Sequence, residues 1–112
     1  MDVDVGFTGV PVSALVHGRD FFERLFGRPA DIVASEDEVL WRVADSAWLY
    51  VKVDPVRAGN ALAALAVAHL DAVLADLEGR GIRPTTVERL EAGRKATLHD
   101  PDGNTVAIIE VS

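Results

Sequence analysis

The side chains able to do metal or acid-base chemistry are few and scattered. The histidines are His17, His69 and His99, and there is no cysteine, which excludes disulfides, thiolate metal sites and cysteine nucleophiles. No two of the histidines have the spacing of a helical or strand metal motif. The carboxylate that invites a metal reading is Glu110, near the end of HDPDGNTVAIIE (99–110), where a tight turn leads into an apolar terminal strand. Glu36 and Glu38 flank Asp37 in a polar turn where solvation accounts for them, whereas glycosidase-like chemistry needs two carboxyls across a cleft. No G-x-S-x-G elbow, phosphate-binding loop or dinucleotide fingerprint is present; GRGIRP at 79–84 reads as a helix end and its turn. The residues name no catalytic group.

With 112 residues the chain is expected to form one domain, long enough to bury a core without staples. The net charge of -7 is spread along the chain, which argues against nucleic acid or an anionic membrane as partner. It would suit a cationic ligand, although an acidic surface that keeps the protein dissolved accounts for it as well. The opening MDVDVGFTG lacks a basic n-region and a long apolar stretch, and the longest apolar run, ALAALAVA at 61–68, is too short to span a bilayer. A soluble, cytoplasmic protein is the expectation.

The elements that must position any site come in two copies. VSALVHGRDFFERLFGRP (12–29) aligns without gaps with VAHLDAVLADLEGRGIRP (67–84), so that Val12 matches Val67, Leu15 matches Leu70, Phe22 matches Leu77, and both close on Arg-Pro. In the first copy 7–13 alternates with the strand period, 14–26 carries Leu15, Phe22, Leu25 and Phe26 at helical spacing, and strands follow near 31–35, 38–43 and 47–53. The second copy predicts a strand at 61–67, a helix over 69–79, and strands near 85–90, 94–99 and 104–111. DPVRAGN (54–60) has the composition of a connector. The domain therefore divides into module one at about 6–54, a connector at 55–60, and module two at 61–112. Two βαβββ modules, each with a helix over one sheet face, make an α+β fold, and the opposite faces would form a shared concave surface.

A duplicated βαβββ unit with LFGRP after the first helix and DPDGN before the last strand resembles the vicinal oxygen chelate superfamily, the glyoxalase/bleomycin-resistance/dioxygenase fold. The resemblance covers Phe7 to Val111. It implies paired modules whose sheets curl round a ligand cavity, often in a homodimer, with metal ligands on the first and last strands of each module. Carried over residue by residue, those positions fall on Phe7, Leu49, Leu62 and Ala107, none of which offers a lone pair to a divalent cation. Glu110 lies three residues beyond Ala107 and so on the opposite face, as a solvated strand-end residue.

Alternation from the same resemblance sends Trp41, Trp48 and Tyr50 towards the helix, with Leu40, Arg42, Leu49 and Val51 towards the cavity. This assumes a two-residue hairpin around Ala44-Asp45-Ser46; a three-residue loop would invert it. The cavity would then be lined by Phe7, Leu40, Arg42, Leu49, Val51, Leu62 and Ala107. Such apolar walls with one arginine suit the holding of an organic ligand better than acid-base chemistry. The expectation is a small-molecule binding protein like bleomycin-type resistance proteins, a homodimer without catalytic residues, metal or other cofactor. The rival is a metal-dependent glyoxalase-like lyase, isomerase or dioxygenase, which would need His69, His99 and Glu110 brought together or a partner subunit completing the site.

Overall fold

The computed structural model describes residues 1–111. Each module runs strand, helix, three strands: β1 (Gly6–Val12), α1 (Leu15–Phe26), β2 (Ile32–Ser35), β3 (Glu38–Ala44) and β4 (Ala47–Val53), then β5 (Leu62–Val67), α2 (Leu70–Gly79), β6 (Thr86–Leu90), β7 (Gly93–His99) and β8 (Thr105–Val111). These make two four-stranded sheets with equivalent orders, β1-β4-β3-β2 and β5-β8-β7-β6. The first strand of each module is parallel to the last, and the remaining pairs are antiparallel. A parallel pair needs a long crossover, which the helix and the two middle strands supply.

Alternation decides which side of each sheet the helix covers. Val10, Val12, Val39, Trp41, Leu49 and Val51 of the first sheet, and Ala63, Ala96, Leu98, Val106 and Ile108 of the second, are buried. They meet Phe21, Phe22 and Leu25 of α1 and Leu70 and Leu77 of α2 in a core that joins both modules. Trp41 sits at its centre, with Phe26 and Phe22 ring centroids 5.6 and 6.2 Å away and its indole N–H donated to the Arg28 carbonyl at 3.1 Å.

Because the helix-covered faces of both sheets feed one core, the two open faces point away from it. Among the described residues the two open faces therefore do not meet in the concave surface expected within a single chain. Each open face is a separate wall. Among the described residues no helix is long and apolar enough to cross a membrane.

Candidate ligand-binding face

Three rows of side chains cross the open face of the first sheet. Phe7 lies beside Trp48 and Trp48 beside Arg42; Gly9 beside Tyr50, Tyr50 beside Leu40, and Leu40 beside Ile32; Pro11 beside Lys52 and Lys52 beside Glu38. Phe7 and Trp48 stack, with ring centroids 6.5 Å apart and planes inclined by 22°. The Tyr50 ring lies on the backbone of β1, where a Cβ at Gly9 would fall 2.5 Å from its Cζ. Glycine is what permits that close approach. A cavity of about 270 Å³ opens here between Gly9, Pro11, Tyr50, Lys52, Asp54 and Arg57.

The equivalent face of the second sheet is built from small residues. Its rows run Leu62, Thr105, His99; then Ala64, Ala107, Thr97, Thr86; then Ala66, Ile109, Lys95, Glu88. Phe7 at 58 % and Leu62 at 83 % exposure are apolar side chains left open among the described residues. A bulky aromatic wall and a shallow alanine-threonine wall thus occupy corresponding places in the two modules. A larger groove of about 450 Å³ runs beside α2 past Asp71, Leu74, Glu78 and Arg83, on the helix side and away from both walls.

Of the residues expected to line a cavity, Phe7, Leu40, Arg42, Leu62 and Ala107 stand on open faces. Leu49 and Val51 do not: both are fully buried beneath the helix, and Trp48 and Tyr50 take the open face in their place. The cause is a bulge at Val43. Trp41 pairs with Leu49 and Arg42 with Trp48, yet Ala44 pairs with Ala47, so β3 contains one residue more than its partner. The hairpin keeps a two-residue turn at Asp45-Ser46 but takes the facing of the three-residue alternative. Trp41 lies in the core as expected, and Trp48 and Tyr50 are the wall residues that alternation from a regular hairpin misses.

The pairing of first and last strands also moves one of the positions carried over from the resemblance. Phe7 pairs with Trp48 and Leu62 with Thr105, so Gly9 corresponds to Ala64 and Tyr50, not Leu49, corresponds to Ala107. The four positions are then Phe7, Tyr50, Leu62 and Ala107. One phenol and three hydrocarbon side chains do not fit a divalent cation, which takes imidazole, carboxylate or thiolate donors. Among the described residues no three His, Cys, Asp or Glu side chains come together.

Glu110 is not the solvated strand-end residue expected. It lies on the helix side of β8, where its Oε2 accepts the Leu70 N–H at 2.7 Å and its Oε1 meets Arg94 Nη2 at 3.2 Å. His69, the residue before α2, makes no side-chain cap, so a carboxylate 40 positions away does that work. The Leu70 N–H, with Arg94 beside it, holds the Glu110 carboxyl below its ordinary value of 4.5. His99 stands on the open face of the second sheet, so the set His69, His99 and Glu110 is not assembled.

Among solved structures, the chain is 31% identical to the glyoxalase / bleomycin resistance protein from Catenulispora acidiphila DSM 44928, with a TM-score of 0.93 over 99% of this chain and 100% of that one. An antibiotic binding protein from Streptomyces sp. CB03234 is 23% identical, with a TM-score of 0.77 over 100% of this chain and 97% of that one. The bleomycin-binding protein of bleomycin-producing Streptomyces verticillus, complexed with copper(II)-bleomycin, is 20% identical, with a TM-score of 0.81 over 100% of this chain and 99% of that one. The last two likenesses concern the fold alone. No family profile and no curated protein matches the chain.

Proposed function

The chain belongs to the glyoxalase/bleomycin resistance protein family, and from that premise we propose that it binds a small organic molecule without a metal and holds it without transforming it. The observation that carries this reading is the exchange of roles on the first sheet: where the family's chemistry calls for metal donors stand Phe7 and Tyr50, with Trp48 stacked on Phe7. Aromatic faces bind flat organic groups through dispersion and stacking, and Phe7 and Trp48 carry no acid, base or nucleophile. The fold is shared with a protein seen with copper(II)-bleomycin bound and with an antibiotic binding protein, and sequestration of an antibiotic-like compound is the corresponding role here.

The site is proposed to be completed by a second copy. Two outward walls, one bulky and one shallow, complement each other in a two-fold pair in which the aromatic wall of one copy faces the alanine-threonine wall of the other. Light scattering on the purified protein should return twice the mass of the chain.

The decisive experiment measures metal content by mass spectrometry, with thermal-shift titrations of zinc, nickel, manganese and iron(II). The expected result is no bound metal and no stabilisation. Roughly one equivalent of metal with a matching rise in melting temperature would overturn the proposal and put the lyase or dioxygenase reading in its place.

A further inference from the structure

Resting on the reading of the aromatic wall as a small-molecule site, we infer that the compound it holds carries a carboxylate or comparable oxyanion, anchored by Arg42 while its flat body lies on Trp48 and Phe7. The first ground is position. Arg42, Trp48 and Phe7 form one row across three adjacent strands, with strands about 4.8 Å apart. A guanidinium at the end of such a row meets an acidic substituent on a ring stacked in its middle.

The second ground is charge. The chain has eighteen acidic and eleven basic residues, and six of its nine arginines pair with carboxylates: Arg19 with Glu23, Arg24 with Asp20, Arg28 with Asp31, Arg57 with Asp54, Arg83 with Glu78, and Arg94 with Asp71 and Glu110. Arg42 departs from that pattern, as do Arg80, which donates to helix-end carbonyls, and Arg89 of the second sheet, but of the three only Arg42 stands on the aromatic wall. Its Nη2 donates to the Asp45 carbonyl at 2.7 Å, and among the described residues no carboxylate lies within salt-bridge distance of it. The Asp31 carboxylate accepts the Arg42 backbone N–H at 2.7 Å, but it is already engaged by the Arg28 guanidinium at 3.1 Å. A guanidinium has five N–H donors in a planar fork, so the bond to Asp45 leaves a fork open for a carboxylate.

The rest of the wall has the same sign. Within the three rows Lys52 is the other cation, and Glu38, the acid, is 4.0 Å from the Lys52 ammonium. Two cations against one acid give these rows a positive balance on a chain of net charge -7, and the Asp54–Arg57 pair at their edge leaves it unchanged. The overall charge, which suits a cationic ligand, does not describe the site, because charges more than about 10 Å away are largely screened at ordinary ionic strength.

The test uses three probes with one ring system: 2-naphthoate, the neutral 2-naphthamide and the cationic 2-naphthylmethylammonium, titrated calorimetrically into the full chain. 2-Naphthoate should bind about tenfold more tightly than the amide, as a charge-assisted fork contact predicts, with the ammonium weakest. The preference should shrink with added salt and disappear in Arg42→Gln, whose circular dichroism and melting temperature should match the parent's. The Arg42 side chain is exposed, so its replacement should leave the fold intact, which those two readouts check independently of binding. Equal binding of naphthoate and amide, or a preference that persists in Arg42→Gln, would overturn the inference and leave the small-molecule reading standing. Binding of none of the three would overturn both.

Discussion

Arg24 and Arg80 each close the other module's helix. Arg24 Nη1 donates to the Arg80 carbonyl at 3.4 Å, while the Arg80 guanidinium donates to the Arg24 carbonyl and, at 3.3 Å, to that of Leu25. The last carbonyls of a helix have no partner inside it and carry the negative end of its dipole, so an arginine is the side chain they favour. Both helices turn off through a left-handed glycine, Gly27 at φ 70° and Gly81 at φ 80°, which leaves the opposite guanidinium room to lie against the chain. The repeat read in the sequence thus has a physical seam, and it is reciprocal.

Arg80→Ala should lower stability by about 1–2 kcal/mol, the ordinary worth of charge-assisted hydrogen bonds at a helix end. Arg24→Ala should cost less, since its single cross-module bond is the longer one. Because each arginine donates to the other's carbonyl, the double variant should depart from additivity by about 0.5 kcal/mol. Urea unfolding of the four proteins measures it; strict additivity would mean that the two caps act independently.

Asn104 gathers three segments around one buried amide. Its Oδ1 accepts the N–H groups of Gly59 and Ala61 at 3.0 and 2.9 Å, and its Nδ2 donates to the Pro11 carbonyl at 2.7 Å and to Asp100 at 2.8 Å. Connector, first strand and terminal turn are held together by that side chain. Asn104→Ala leaves those groups buried without partners and should cost on the order of 3 kcal/mol. Asn104→Asp should fare no better, since it loses both donors and sets a second carboxylate against Asp100. Denaturant midpoints for the two variants decide the matter; a shift within about 0.5 kcal/mol would mean that water replaces the amide.

The element order, the module repeat and the strand and helix spans were legible because each rests on local patterning: alternation in FTGVPVS, helical spacing in DFFERLF, and Gly and Pro at the stops. Trp41 was legible as core through the alternation that the resemblance implies. The facing of Trp48, Leu49, Tyr50 and Val51 was not, because one bulged residue, Val43, reverses a whole strand and nothing in ADSA announces it. The setting of Glu110 departs from the expected one for a different reason. Its partners, Leu70 and Arg94, are 40 and 16 positions away, and a cap supplied from another element leaves no signature around the helix it caps.

Glu110 also gives the fold an acid-sensitive contact. Its folded-state value is lowered by the Leu70 N–H and by Arg94. A depressed carboxyl stabilises the fold fully above its unfolded value and loses that contribution as pH falls through the folded one. Glu110→Gln should therefore be less stable than the parent at neutral pH by a constant margin. That margin should close as the pH is taken from about 7 to about 3. Melting temperatures across this range test it; a margin that persists at the acid end would assign the loss to shape and not to charge.

The two tryptophans test the face assignment directly. Trp41 is fully buried against Phe22 and Phe26, whereas Trp48 is partly exposed on the open wall. Trp41→Phe removes a hydrogen-bonded indole from the core and should cost about 2–3 kcal/mol, leaving an emission that acrylamide quenches readily. Trp48→Phe keeps an aromatic ring beside Phe7 and should change stability by no more than about 0.5 kcal/mol. Its remaining emission, from Trp41, should be blue-shifted and shielded from acrylamide, and should not respond to 2-naphthoate. The reverse pattern would require β3 and β4 to pair one residue out of the present register. Since such a slip exchanges the two faces of a strand, it would return Leu49 and Val51 to the wall and dismantle the aromatic site.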